Sequence, residues 1–235
     1  MMRILAVDTS TRSCSVAVVD DFDLLAEITA GNGQTHSRHL MAMIDSALDM
    51  AGVNLSGIDG LAFTCGPGSF TGLRIGIGTV WGLAAATKLP VAGISGLDAL
   101  AMQAAVPDMT ICPLIDGRRN EVYLAHYRWE NGALIQLKAE HVLPPDQAVC
   151  NLHPPVLFVG NGALLYRERI LACLGNGARF ARNCQHTLRA STLAWMAVKR
   201  FETGDVDDIY HFEPMYIRKP DAQIPAPLIP RQERP

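Results

Sequence analysis

The first thirty residues alternate short apolar runs with clusters of turn formers. The runs 3–8, 14–19 and 24–29 predict three strands. Thr9-Ser10-Thr11-Arg12-Ser13 and Asp20-Asp21-Phe22-Asp23 lie between them and predict tight turns, so the strands form an antiparallel meander. After Gly31-Asn32-Gly33-Gln34 the period becomes helical, from about residue 35 to Ala51, with Gly52 as the stop. Leu40, Ile44, Leu48 and Ala51 make one apolar stripe on that helix. Met43, Ala47 and Met50 make a second beside it. One stripe suffices to pack a helix on a sheet, so the extra width implies a further contact.

A strand at 58–64 leads through a glycine-rich segment into a second helix, from Ser69 or Phe70 to Lys88, which Pro90 prevents from continuing. A strand at 91–94 and a short helix at 97–105 follow. The order βββαβαβα describes one compact lobe over residues 1–105, with right-handed crossovers feeding parallel strands. Pro107-Asp108 marks the boundary. Residues 106–217 then predict a second lobe. It has strands at 110–115, 121–129, 133–142 and 156–159, and helices at 144–150, 163–174 and 191–203, the last capped by Ser191 and packing back between the lobes. Residues 218–235 hold five of the fourteen prolines and little periodicity, which predicts a flexible tail. No internal repeat is visible in the residues.

Composition changes this picture in one respect. The 235 residues are 49% hydrophobic and only 18% charged, below the ~25% usual for globular domains. No window supplies about 18 uninterrupted apolar residues, so the excess does not mark a membrane span. The N-terminus reaches Asp8 too soon for a signal peptide, and the expected location is the cytoplasm. The six cysteines are scattered without a Cys-x-x-Cys pair, which predicts reduced, mostly buried thiols rather than a disulfide framework or zinc knuckle. The net charge of −3 argues against a dedicated nucleic-acid binder. Residues 1–105 carry a balance of −4 and the remainder +1, so the C-terminal part could touch a polyanion only weakly.

Asp8-Thr9-Ser10, at the end of the first strand, could orient a cation or bond phosphate oxygens, or simply close a hairpin. Gly66, Gly68 and Ser69 belong to a strand-to-helix segment, Gly66-Pro67-Gly68-Ser69-Phe70-Thr71-Gly72-Leu73-Arg74-Ile75-Gly76. Such a segment can cradle an anion or serve only as a helix-entry turn. It lacks the Gly-Lys-Ser/Thr ending of a P-loop and the spacing of a dinucleotide fingerprint. Gly72, Gly76, Gly78 and Gly82 each cost about 1 kcal/mol within the helix that follows. At spacing four they permit close helix approach. With Leu73, Ile77, Val80 and Trp81 that helix is apolar nearly all round, which requires cover either by the chain's own elements or by a partner subunit, and a protein–protein interface is the favoured reading. His36 and His39 lack a third ligand, so no metal site is expected. No nucleophile triad can be assembled. Asp116-Gly117-Arg118-Arg119 is a polar turn that could hold an anion or remain solvated.

Taken together, these segments resemble the TsaB (YeaZ) family of bacterial tRNA threonylcarbamoyladenosine synthesis. The likeness rests on Asp8-Thr9-Ser10 with Cys14-Ser15-Val16-Ala17-Val18, His36-Ser37, the glycine-rich segment, Gly93-Ile94-Ser95 and Asp116–Tyr123. Gly160-Asn161-Gly162-Ala163 and Pro214-Met215-Tyr216-Ile217-Arg218 also fit. It covers nearly all of residues 2–218. Gly117 stands where members often have alanine, and Asn120 where they often have glycine.

The resemblance implies an α/β, actin-like (ASKHA, ribonuclease H-like) two-lobed fold with mixed sheets flanked by helices. It implies a paralogue of TsaD, the subunit that transfers threonylcarbamoyl to N6 of adenosine 37 in tRNAs reading codons that begin with A. TsaD holds its metal through a His-x-x-x-His pair. The corresponding stretch here, Ser95-Gly96-Leu97-Asp98-Ala99-Leu100, has no histidine, so no catalytic residue and no metal are expected. The implied role is a non-catalytic scaffold that binds TsaD and helps recruit TsaE, and that forms a homodimer when alone. The two first-lobe helices would make the contact, through Leu40, Met43, Ile44, Ala47, Gly72, Leu73, Gly76, Ile77, Val80 and Trp81. Asp8, Thr9, Ser10, Gly66, Gly68 and Ser69 would be a vestigial nucleotide cleft. No cofactor is required, although ATP or ADP at that cleft or at the subunit boundary stays open. The alternative is an ATP-dependent small-molecule kinase or phosphohydrolase of the same superfamily.

Overall fold

The computed structural model describes residues 1–31, 36–150, 152–215 and 217. The first sheet contains β1 (Arg3–Asp8), β2 (Cys14–Asp20), β3 (Asp23–Ala30), β4 (Gly60–Gly66) and β5 (Val91–Ser95), in the order β3-β2-β1-β4-β5. The hairpin partners are antiparallel, with Val7 opposite Val16, while β4 and β5 run parallel to β1. Both faces of β1 are buried, so it reads as a continuous apolar run rather than an alternation. Leu5 and Val7 face α1 (His36–Ala51) and α2 (Phe70–Thr87) in one apolar cluster. Ile4 and Ala6 face α3 (Gly96–Gln103) and α7 (Ala190–Glu202) in another. Ala6, Ala17, Ala62 and Ala92 make that second face shallow, which lets α7 lie close to the strands.

The second sheet holds β6 (Thr110–Arg118), β7 (Glu121–Glu130), β8 (Ala133–Leu143), β9 (Val156–Val159) and β10 (Ala178–Phe180), in the order β10-β9-β6-β7-β8. Helices α4 (Pro145–Val149), α5 (Asn161–Leu165) and α6 (Arg167–Leu174) accompany it. An antiparallel hairpin pair lies on one side of β6 and a parallel pair on the other, as around β1. The two sheets therefore share one topology, a repeat of structure that the residues do not show.

Helices α3 and α7 are held between the sheets. Leu97, Leu100, Leu193 and Ala197 share a core with Ile111, Ile115, Tyr123 and Tyr127 of the second sheet. Helix α7 begins at Ala190, so Ser191 lies inside it rather than capping it. The cap comes from β3. Glu27 accepts Ser191 N at 3.0 Å and Ser191 Oγ at 2.8 Å, and it pairs with Arg189. Ser15 Oγ accepts Ala190 N at 3.0 Å. Beyond α7 a strap returns to the first lobe: Asp207 bridges to Val91, Gly93 N donates to Asp207 Oδ2 at 2.6 Å, and Met215 N donates to Cys65 O at 2.9 Å.

Other differences from the sequence expectation are local. The helix predicted at 163–174 is broken at Tyr166, whose φ of −107° and ψ of 21° separate α5 from α6. Strand β10 was not anticipated, since three residues carry no readable period. The predicted tail, 218–235, and the start of the first predicted helix, residue 35, lie outside the described residues. Among the described residues no helix is long and apolar enough to cross a membrane.

Candidate functional site

The tip of the β1–β2 hairpin is pressed against the start of α2. Asp8 is 0% exposed, and its Oδ1 accepts Ser10 N at 2.9 Å, Ser10 Oγ at 2.6 Å and Thr64 Oγ1 at 2.7 Å. Burial raises the Asp8 carboxyl above its usual range, against the opposing pull of Ser10 and Thr64. Thr9 Oγ1 donates to Gly72 O at 2.8 Å, and Ser69 N donates to Ser10 O at 2.7 Å. The glycines make this approach possible. A Cβ at Gly68 would lie 2.4 Å from Ser10 O, one at Gly72 2.1 Å from Thr9 O, and one at Gly76 2.3 Å from Thr9 Oγ1. Gly66, at φ +135°, faces Met215 O of the strap in the same way. Ser69 caps α2 by accepting Gly72 N at 3.3 Å. The hydroxyls of Thr9 and Ser10 thus bond groups of the chain itself, Gly72 O and Asp8 Oδ1, while Asp8 Oδ2 is buried without a hydrogen-bond partner among the described residues.

The predicted docking residues fall on the inner side of their helices. Leu40, Met43, Ile44, Ala47, Leu73, Ile77 and Val80 are buried in the chain's own core with Val16, Leu61 and Phe63. Gly72 and Gly76 admit the hairpin rather than another chain. Trp81 is half-buried, edge-on to Phe212 of the strap at 5.9 Å. The correction has a simple cause. Stripes at helical spacing mark the side that meets the sheet, and small or polar residues occupy the opposite side. That outer side carries Phe70 with Arg74 stacked on it at 4.0 Å, then Gly78, Gly82, Ala85 and Ala86, all exposed. A Cβ at Gly78 or Gly82 would meet nothing within 4 Å. On the adjoining α1, Met41, Ala42, Ser46 and Met50 are exposed.

A polar cluster at the junction of the lobes was not legible in the sequence. Ser95 caps α3, accepting Leu97 N at 3.1 Å, and its hydroxyl donates to Glu140 of β8. Tyr127 OH donates to Asp98 Oδ1 at 2.5 Å. Burial, with the Asp98 charge nearby, pushes the Glu140 carboxyl up to about 7 against the pull of Ser95. This is the stretch where the resemblance places a histidine pair in TsaD. Among the described residues no group of three or more His, Cys, Asp or Glu is arranged to hold a metal ion. His36 Nε2 donates to Thr11 O at 2.9 Å and ties α1 to the hairpin, while His39 is exposed. Asp116 Oδ1 accepts Arg118 N at 2.9 Å in the β6–β7 turn, where Arg118, Arg119 and Asn120 all take positive φ. On the second lobe an open groove of about 810 Å³ runs between β7, β8 and α4, lined by His126, Lys138, His141, Cys150 and His153.

Comparison with known proteins bears on this geometry. The family model for TsaD, tRNA N6-adenosine threonylcarbamoyltransferase, matches residues 24–226. The chain is 32% identical to the tRNA threonylcarbamoyladenosine biosynthesis protein TsaB of Bacillus subtilis, over 94% of this chain and 96% of that protein. It is 34% identical to TsaB of Escherichia coli, over 92% and 95%. The solved structure of YeaZ from Pseudomonas aeruginosa superposes with a TM-score of 0.79 at 32% identity, covering 92% of this chain and 100% of that one. Component A of the Acidaminococcus fermentans (R)-2-hydroxyglutaryl-CoA dehydratase matches at TM-score 0.53 and 13% identity, over 85% of this chain and 99% of that one, a likeness of fold alone. Two mixed sheets of one topology, a hairpin closed by its own glycine loop and relatives matched along nearly their whole length agree: this chain has an actin-like fold and belongs to the TsaB/YeaZ family of tRNA threonylcarbamoyladenosine biosynthesis proteins.

Proposed function

We propose that the chain acts as a docking subunit without chemistry of its own. It binds TsaD, helps recruit TsaE, and so supports threonylcarbamoyl transfer to N6 of adenosine 37 in tRNAs reading codons that begin with A. The observation that carries this reading is the outer face of α1 and α2. Gly78, Gly82, Ala85 and Ala86 offer a shallow surface beside Met41 and Met50, and a helix from another protein could approach it closely. The inner face is spent on the chain's own sheet, so this face answers the excess of apolar residues. In the absence of TsaD the same face pairs with a second copy.

The mechanism is binding energy: TsaD held in its active arrangement by a partner that prefers that arrangement. The hairpin supports the absence of phosphoryl chemistry, because the Thr9 hydroxyl donates to Gly72 O and the Ser10 hydroxyl to Asp8 Oδ1. This chain therefore requires no cofactor, and a nucleotide at the subunit boundary would be held mainly by the partner. The rival kinase reading would need those hydroxyls free. Reconstitution tests the choice. Modification of tRNA by TsaD and TsaE should fall to background without this chain and return when it is restored. ATP turnover by the purified chain alone would favour the rival.

A further inference from the structure

Three of the six cysteines are buried, and three are exposed, against the expectation of mostly buried thiols. Cys14, Cys65 and Cys112 lie in the strands, and burial pushes the Cys14 and Cys65 thiols up to about 12. These three are sheltered and inert. Cys150 ends α4, and Cys173 lies in the last turn of α6, a helix that packs on α4. Their Sγ atoms are 3.9 Å apart, and both residues are exposed. Partial desolvation, the hydrogen bond with Cys150 and the charges of Cys150 and Asp146 hold the Cys173 thiol above its usual range.

We propose that Cys150 and Cys173 are a reversible dithiol–disulfide couple that takes a low-molecular-weight disulfide as oxidant. A disulfide needs its sulfurs about 2 Å apart, so each side chain has to move by about 1 Å. The Cys150 thiolate attacks one sulfur of the small disulfide, whose S–S bond breaks and releases one small thiolate. A mixed disulfide remains on Cys150. Cys173 then gives up its proton and attacks Cys150 Sγ, displacing the second small thiolate. Two protein thiols are oxidised to one disulfide, and the small disulfide is reduced to two thiols that carry the two protons. The bond closes a segment that contains β9 and α5, and fixes α4 against α6. Because Cys150 also lines the groove with His126, Lys138 and His141, oxidation holds that wall in place.

The full chain, incubated in oxidised glutathione and mapped by mass spectrometry, tests this. The expected product loses two hydrogen atoms at this pair, gives a Cys150–Cys173 cross-linked peptide that dithiothreitol reverses, and carries no glutathione there. Cys184, exposed and without a cysteine neighbour among the described residues, is the internal control and should carry a glutathione adduct. In the Cys173→Ser variant, Cys150 should keep a glutathione that it loses in the wild type. Separate glutathione adducts on both cysteines, or two reduced thiols when Cys184 is fully modified, would overturn the proposal.

Discussion

Glu140 shows how a single side chain can tie the stability of this fold to pH. Its carboxyl is drawn into the junction by Ser95, yet burial and Asp98 hold it near 7, against 4.5 for the free group. The folded state therefore binds a proton that the unfolded state releases anywhere between these values. The stabilising contribution is full below about 4.5 and is lost as the pH rises through 7. Discounted for the part of Glu140 that solvent reaches, the gain from about pH 8 to about pH 5 should be about 1–2 kcal/mol. Urea denaturation at several pH values measures it. Glu140→Gln should flatten the profile over this range, and an unchanged slope would show that other groups govern it. Nothing in the sequence marked this residue. Its partners lie more than forty positions away, and β8 reads locally as an exposed edge strand.

At the scale of elements, α2 carries two kinds of glycine, and sequence spacing could not tell them apart. Gly72 and Gly76 press on the hairpin, whereas Gly78 and Gly82 face open space. Gly72→Ala puts a Cβ 2.1 Å from a backbone oxygen that cannot step aside, and should cost about 3 kcal/mol or more. Gly78→Ala meets nothing and should stabilise the helix by about 0.5–1 kcal/mol. Thermal melts of the two variants would read opposite signs, and equal destabilisation would refute the assignment of the faces. Both helices were legible as helices, and their apolar stripes were legible as stripes. What they were packed against was not, because burial in one's own sheet and burial against another chain leave the same period. The cap of α7 was also hidden, since Glu27 reaches it from β3 across the fold.

On the scale of the molecule, the meander, the crossovers and the division between the sheets could be read from runs and turns. The repeated topology of the two sheets could not, since the second lobe shares no residue pattern with the first. Nor could the strap be read, because Asp207, Phe212 and Met215 follow no period and are placed by what they touch: Gly93, Trp81 and Cys65. The assembled molecule leaves the outer side of α1 and α2 exposed and ties the hairpin to the start of α2. The most direct test of the proposed docking role is calorimetric titration of TsaD with the wild-type chain and with Gly82→Leu, a change whose Cβ meets open space in the isolated fold. The account predicts tight binding by the wild type and at least a tenfold loss in the variant, with the variant's melting temperature not lowered. Equal affinity of the two chains for TsaD would contradict it.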